Sequence, residues 1–164
     1  MEQQEIANEL AEKGAQELLA STSAAHLAYT AKDGTPRVVP VGFFWTGQEF
    51  VVASTPNSPK LAALSAHPDV ALTIDGGDKP DEARALSIRG MASITILDGV
   101  VPEYLEAARK SMDADAAAQF ERRVRDVYDQ QARIAIRPTW VRFYDFGAGR
   151  LPRSLQDFIE RNQT

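Results

Sequence analysis

Arg37-Val38-Val39-Pro40-Val41-Gly42-Phe43-Phe44-Trp45-Thr46 is the stretch on which the fold turns. It is rich in β-branched and aromatic residues and lies between two turn signals, Lys32-Asp33-Gly34-Thr35-Pro36 before it and Gly47-Gln48 after it. That pattern predicts a strand entered and left through tight turns. Residues 26–31 and 49–54, on either side, read as strands too. Connections this short cannot carry a parallel crossover, so the three strands form an antiparallel meander.

Working outward, residues 3–19 predict an N-terminal helix, with Ile6, Leu10, Ala11, Leu18 and Leu19 on one stripe and Gly14 as its weak point. Residues 55–58 are a polar loop, and residues 59–66 a short helix ended by His67-Pro68, because a residue before proline avoids helical geometry. Strands follow at 70–74 and 85–97. Gly90, inside the second, signals a bend or bulge. Residues 102–131 turn helical, with Asp113 or Asp115 placed to cap a second helix. Residues 133–146 are the last strand region, broken at Arg137-Pro138. The tail, 147–164, is polar apart from Leu155, Phe158 and Ile159. Six strands with short helices between them predict one domain, mainly β with peripheral helices, built as a small six-stranded antiparallel barrel. An open sheet with helices on one face is the alternative.

The chain has 164 residues, of which 44% are hydrophobic and 25% charged, and its net charge is −5. This composition is that of a globular domain. The acidic balance argues against nucleic acid as a partner. No apolar run approaches the ~20 residues of a membrane helix, and the N-terminal residues do not resemble a signal peptide, so the expected compartment is the cytoplasm. With no cysteine, thiolate catalysis, zinc–thiolate sites and iron–sulfur clusters are excluded. Two histidines far apart in sequence, His26 and His67, do not make a metal site. No catalytic residue and no metal ligand are assigned.

One constellation does carry chemistry. In Ser54-Thr55-Pro56-Asn57-Ser58-Pro59-Lys60, Ser58 is a good N-cap and Pro59 takes the favoured first helical position. Lys60 then falls in the first turn, the wrong end of a helix for a cation, where the dipole is worth roughly +0.5 charge. Free backbone N–H groups, the hydroxyls of Ser54, Thr55 and Ser58, and the Lys60 ammonium together suit a phosphate. The same residues also fit an ordinary capped surface helix whose lysine points to water. Upstream, Pro40 and Gly42 are unusual inside a strand. They share a face with Val38, against which a flat ligand could lie, while Arg37, Val39 and Val41 point the other way. Arg37 heads the strand and could reach a phosphate bidentately. An edge strand protected by proline is the plainer reading.

The run Asp33-Gly34-Thr35-Pro36-Arg37-Val38-Val39-Pro40-Val41, then residues 50–55, Ser58 with Lys60, Leu64 and His67-Pro68-Asp69-Val70-Ala71-Leu72, resembles the pyridoxamine 5′-phosphate oxidase-like split β-barrel family. That superfamily includes the deazaflavin-dependent reductases. The resemblance is densest over residues 28–74 and runs more loosely through Arg89-Gly90 to Trp140-Val141-Arg142. It implies a six-stranded split barrel that dimerises with flavin at the interface. By similarity, Arg37, Lys60 and Ser58 hold the cofactor phosphate. Val38, Val39, Pro40 and Val41 line the ring through their backbone, and Ser54 and Thr55 add hydrogen bonds. Trp140 and Arg142 are candidates to reach a neighbouring subunit's cofactor, and Arg84 and Arg89 to meet an acidic tail.

The chain departs from the true oxidases where they carry Ser-Arg-Lys, having Ser58-Pro59-Lys60, and where their strand ends in lysine, having Gly42. The C-terminal pattern that reads pyridoxal phosphate is absent after Phe146. These departures point away from pyridoxamine phosphate as substrate. The resemblance implies a flavin-dependent oxidoreductase moving hydride between FMN, or the deazaflavin coenzyme F-420, and a small organic substrate. The alternative is a flavin- or haem-binding, redox-sensing module without turnover, for which His26 or His67 is the only imidazole available.

Overall fold

The computed structural model describes residues 1–162. Two helices, α1 (Gln3–Ala11) and α2 (Lys13–Ala20), lead into the strands β1 (Ala25–Thr30), β2 (Pro36–Val41), β3 (Phe44–Trp45) and β4 (Phe50–Ser54). Helix α3 (Pro59–Ala66) precedes β5 (Asp69–Gly76) and the long β6 (Arg84–Asp98). Then come α4 (Pro102–Arg109), α5 (Ala114–Val127), the long β7 (Gln130–Asp145) and α6 (Arg153–Asn162).

All seven strands form one antiparallel sheet in the order β2-β1-β5-β6-β7-β4-β3. The two long strands serve both halves of it. β5 pairs with β6 over residues 84–91, and β4 pairs with β7 over residues 132–136. Between these stretches the β6–β7 register slips, with Arg89 opposite Trp140 but Gly90 opposite Pro138. Thr139 is the extra residue. Its effect is plain in the burial of β7, where the core-facing positions run Ala132, Ile134, Ile136 before it and Val141, Phe143 after it. One inserted residue has reversed the alternation, as a bulge must. Gly90 allows the close approach, since a Cβ there would lie 2.6 Å from the Arg137 carbonyl oxygen.

The ends of the sheet order, β2 and β3, are joined by Gly42 and Phe43 alone. Three Cα–Cα steps of 3.8 Å keep those ends within about 11 Å of each other. The sheet is therefore curled until its two edges nearly meet, and Leu27, Val41, Phe50, Leu72, Ile88, Ile134 and Phe143, from strands throughout the order, share one core. The expected six-stranded barrel is corrected on two counts. The sheet has seven strands, because residues 37–46, read as one strand, are split at Gly42–Phe43 and placed at opposite edges. And no ladder closes the order into a cylinder.

The N-terminal helix is also two helices, broken at Glu12, which is extended (φ −56°, ψ 136°). The break lies beside Gly14, where a Cβ would run into the Phe143 ring. Glu9 fixes this layer to the sheet by accepting from the Phe143 N–H (2.7 Å) and pairing with Arg142 and Arg150. On the other side, α4 packs on β4 and β3 and is tied to β7 by side chains. The buried Gln131 accepts the Val101 N–H through Oε1 (2.8 Å), and Arg133 donates to Glu103. Asp113 caps α5, accepting from the Ala116 N–H (2.8 Å). The tail carries α6, on which no residue is buried. Its last two positions, 163–164, lie outside the described residues. Among those described, no helix is long and apolar enough to cross a membrane, and no cluster of three or more metal-ligating side chains occurs.

Candidate functional site

Two unpaired strand edges meet at the Gly42–Phe43 link. β2 is bonded to β1 on one side only, and beyond Val51 the edge of β4 that faces away from β7 has no partner. Phe44 stands opposite Val51 and Trp45 opposite Phe50. Carried back along the chain, that register would set Val41 against Ser54 and Arg37 against Ser58. The chain instead leaves β4 at Gly42 and pairs with β1. The result is an open seam, with β2 as one wall and the β4–α3 junction as the other.

The β4–α3 junction is built from local rules. Ser54 ends β4 opposite Ala132. Thr55 starts a tight turn whose carbonyl accepts the Ser58 N–H (3.1 Å), and Ser58, extended at φ −63° and ψ 130°, leads into Pro59 at the first helical position. Leu61 and Leu64 are buried, which fixes the rotation of α3. Lys60 is thereby held half-buried at the helix N-terminus, and burial lowers its pKa below 10.5. Among the described residues neither its ammonium nor the hydroxyls of Ser54, Thr55 and Ser58 has a hydrogen-bond or ion-pair partner. A partly desolvated cation at the positive end of a helix dipole is unfavourable alone. An anion there would meet the ammonium, the first-turn N–H groups and up to three hydroxyls, so this donor set fits a phosphate group.

On the other wall the predicted alternation is found. Val41 is buried and Val39 half-buried, while Val38 is 65% exposed and Pro40 exposed. Arg37 is engaged elsewhere. Its guanidinium folds back on its own hairpin, donating to Asp33 (3.2 Å), to the Pro36 carbonyl (3.1 Å) and to the Thr35 hydroxyl. Asp33 is fixed in turn by the Thr35 hydroxyl and N–H, which hold its carboxyl below the usual range. Ser54, Thr55, Ser58 and Lys60 are thus brought together, and Arg37 stands apart in its own turn.

The remaining candidates lie outside β2 and the β4–α3 junction, although His26, on β1, stands opposite Pro40. Arg84 pairs with Glu17 and Asp145, and Arg142 with Glu9. Arg89 stacks over the Trp140 ring at 4.7 Å. His26 approaches Asp75 (3.6 Å), and His67 ends α3. Sequence reasoning missed Lys110, which follows α4, lies over the Phe43 ring at 4.0 Å and donates to the carbonyls of Leu19 (2.8 Å) and Phe43 (3.2 Å). Its only sequence signal is a basic pair, Arg109-Lys110, where the helical stripe ends.

The fold is thus of the mainly β class, a curled antiparallel sheet with peripheral helices and an unpartnered lysine beside its seam. The sequence pattern of the pyridoxamine 5′-phosphate oxidase family matches residues 11–145, and the chain belongs to that family. Among solved structures it resembles an F-420 reductase (28% identity, TM-score 0.57, covering 77% of this chain and 94% of that one). It also resembles a conserved hypothetical protein from Mycobacterium tuberculosis (21%, TM-score 0.60, 93% and 89%) and a haem storage protein from Vibrio cholerae (13%, TM-score 0.56, 82% and 92%). The last two likenesses bear on the fold alone. No curated protein matches the chain in sequence.

Proposed function

We propose that this protein is a flavin-dependent oxidoreductase that holds FMN, or the deazaflavin coenzyme F-420, along the seam. The observation that carries the reading is Lys60, a half-buried ammonium without a partner at the start of α3. Lys60, Ser58, Thr55 and Ser54 bind the cofactor phosphate, and the free backbone edge of Val38, Val39, Pro40 and Val41 lies along the ring. Arg37 joins the phosphate by exchanging Asp33 for it. The flavin supplies the hydride chemistry, and the chain supplies binding, orientation and shelter from water. No side chain is needed as a nucleophile. Family membership and the likeness to an F-420 reductase support this reading. In it the protein is a cytoplasmic homodimer of split barrels with cofactor between subunits, and its substrate is a small organic molecule.

A non-catalytic flavin or haem module is the second reading, since no side chain of the seam is assigned a chemical step and a haem storage protein shares the fold. The visible spectrum of freshly purified protein separates the cofactors, since flavin, deazaflavin and haem differ in their bands. Reduction of bound flavin by a nicotinamide donor, followed by re-oxidation on adding candidate acceptors, is expected of the enzyme. A colourless protein that takes up neither FMN nor F-420 on titration would overturn the proposal. Saturable binding without turnover would favour the module.

A further inference from the structure

Lys60 has a counterpart. Lys110 is also half-buried, has no carboxylate partner among the described residues, and has its pKa lowered by burial. The Leu19 carbonyl that it caps belongs to the last turn of α2, whose negative end offsets part of its charge. Two carbonyls occupy two of the three donors of an ammonium. The third has no hydrogen-bond or ion-pair partner among the described residues, the ammonium otherwise lying over the Phe43 ring at 4.0 Å.

Beside that ammonium lies a cavity of about 200 Å³, walled by Ala24, Gly42, Phe43, Tyr104 and Ala108, by the hydroxyl residues Ser21, Thr22, Ser23 and Ser111, and by Lys110. Gly42 is informative here. Its φ is not positive, and nothing lies within 4 Å of where its Cβ would be. Neither backbone conformation nor packing in the chain calls for glycine at that position. Gly42 is exposed and lines the cavity, and a side chain added there would enter open space. The wall is mostly apolar, and its one fully charged group is Lys110.

We propose that this cavity is a binding site for a small monocarboxylate, whose apolar body packs against Gly42, Phe43 and Tyr104 and whose carboxylate accepts the third donor of Lys110. Inorganic phosphate suits it less well, because a doubly charged, fully hydrated anion would lose solvation against an apolar wall. The site does not depend on the cofactor reading, since it uses neither Lys60 nor the β2 backbone edge.

The test uses the purified full chain and benzoate as probe, followed by calorimetry or by chemical-shift perturbation. Saturable binding of benzoate is expected, with benzamide, its neutral analogue, bound at least tenfold more weakly. Gly42→Val fills the space with nothing nearby to clash with and should weaken benzoate at least tenfold. Lys110→Met should weaken it about ten- to a hundredfold, the range of one charge-assisted hydrogen bond. If Lys110→Met fails to fold, because two carbonyls lose their donor, Gly42→Val and benzamide still decide. Lys60→Ala should leave benzoate affinity unaltered. Equal affinity for benzoate and benzamide, no binding of either, or full affinity in Gly42→Val would overturn the proposal. Loss of benzoate in Lys60→Ala alone would place the anion at α3 and overturn it too, while supporting the phosphate cradle.

Discussion

Lys60 illustrates how a single residue reports a ligand. At pH 7 it carries its charge into the first turn of α3, where the helix dipole and partial burial both oppose it. Lys60→Ala and Arg37→Ala should each weaken flavin binding about ten- to a hundredfold, the worth of one charge-assisted hydrogen bond. Equilibrium titration with FMN and with F-420 measures this, and unchanged affinity for both cofactors would refute the assignment. The sign of the pH effect is a separate check. The folded pKa of Lys60 is below the unfolded 10.5, so between the two values the unfolded chain binds more protons and stability rises with pH. The penalty is full below the folded value and gone above 10.5. Cofactor-free Lys60→Met should therefore resist urea better than the native chain at pH 7, with the difference closing as pH climbs past 10.5. A difference independent of pH would mean that packing, and not charge, is responsible. Lys60 was legible in the sequence because serine, proline and a misplaced lysine follow local helix rules. Lys110 was not, because its partners Leu19 and Phe43 are 91 and 67 positions away.

At the scale of elements, the pairing of β6 with β7 shapes the molecule, and Gly90 is its tightest point. A side chain there meets the Arg137 carbonyl at 2.6 Å and the Ile136 side chain at 2.8 Å. Gly90→Val should cost at least ~1–3 kcal/mol of stability, the range of a strained or overpacked site, read from the midpoint of urea unfolding. An unchanged midpoint would show that the bend does not need glycine. The clamp between α4 and β7 gives an acid-side prediction. Burial pushes the Glu103 carboxyl up, but the hydrogen bond and charge of Arg133, with a backbone hydrogen bond, hold it below 4.5 on balance. Its contribution is complete above pH 4.5 and lost as pH falls through the folded value. Glu103→Gln should be less stable than the native chain at pH 7, and the gap should shrink below pH 4.5. Gly90 announced its bend in the sequence, as glycine inside a strand does. The split of residues 37–46 did not show, because nothing local distinguishes a strand that continues from one that changes partners at Gly42. That choice is made through the flanking strands β1 and β4, whose own places in the sheet are set by the distant β5 and β7. The break at Glu12 showed only as a weak point at Gly14, since Glu9 takes its bearing from β7.

For the molecule as a whole, the family and the mainly β architecture were readable because turn clusters and β-branched runs are local signals. The number of strands and the open seam were not, because closure depends on pairings across most of the chain. Cofactor-loaded protein should sediment as a homodimer, with the exposed Val38 face of β2 covered by the second copy. A strict monomer that still binds flavin tightly would refute this. The place of β7 bears on how the chain is made. It is the last strand in sequence, yet it alone pairs with β4 along its full length and receives the carboxylate of Glu9. On a ribosome, β4, paired only with the two-residue β3, and helix α1 therefore wait for their main partner for about eighty residues and more. The apolar faces of Ile6, Leu10 and Phe50 stay open until residues 130–145 leave the exit tunnel. Arrested nascent chains should remain open to protease up to that length and become resistant over a narrow interval beyond it, in one late step and not strand by strand.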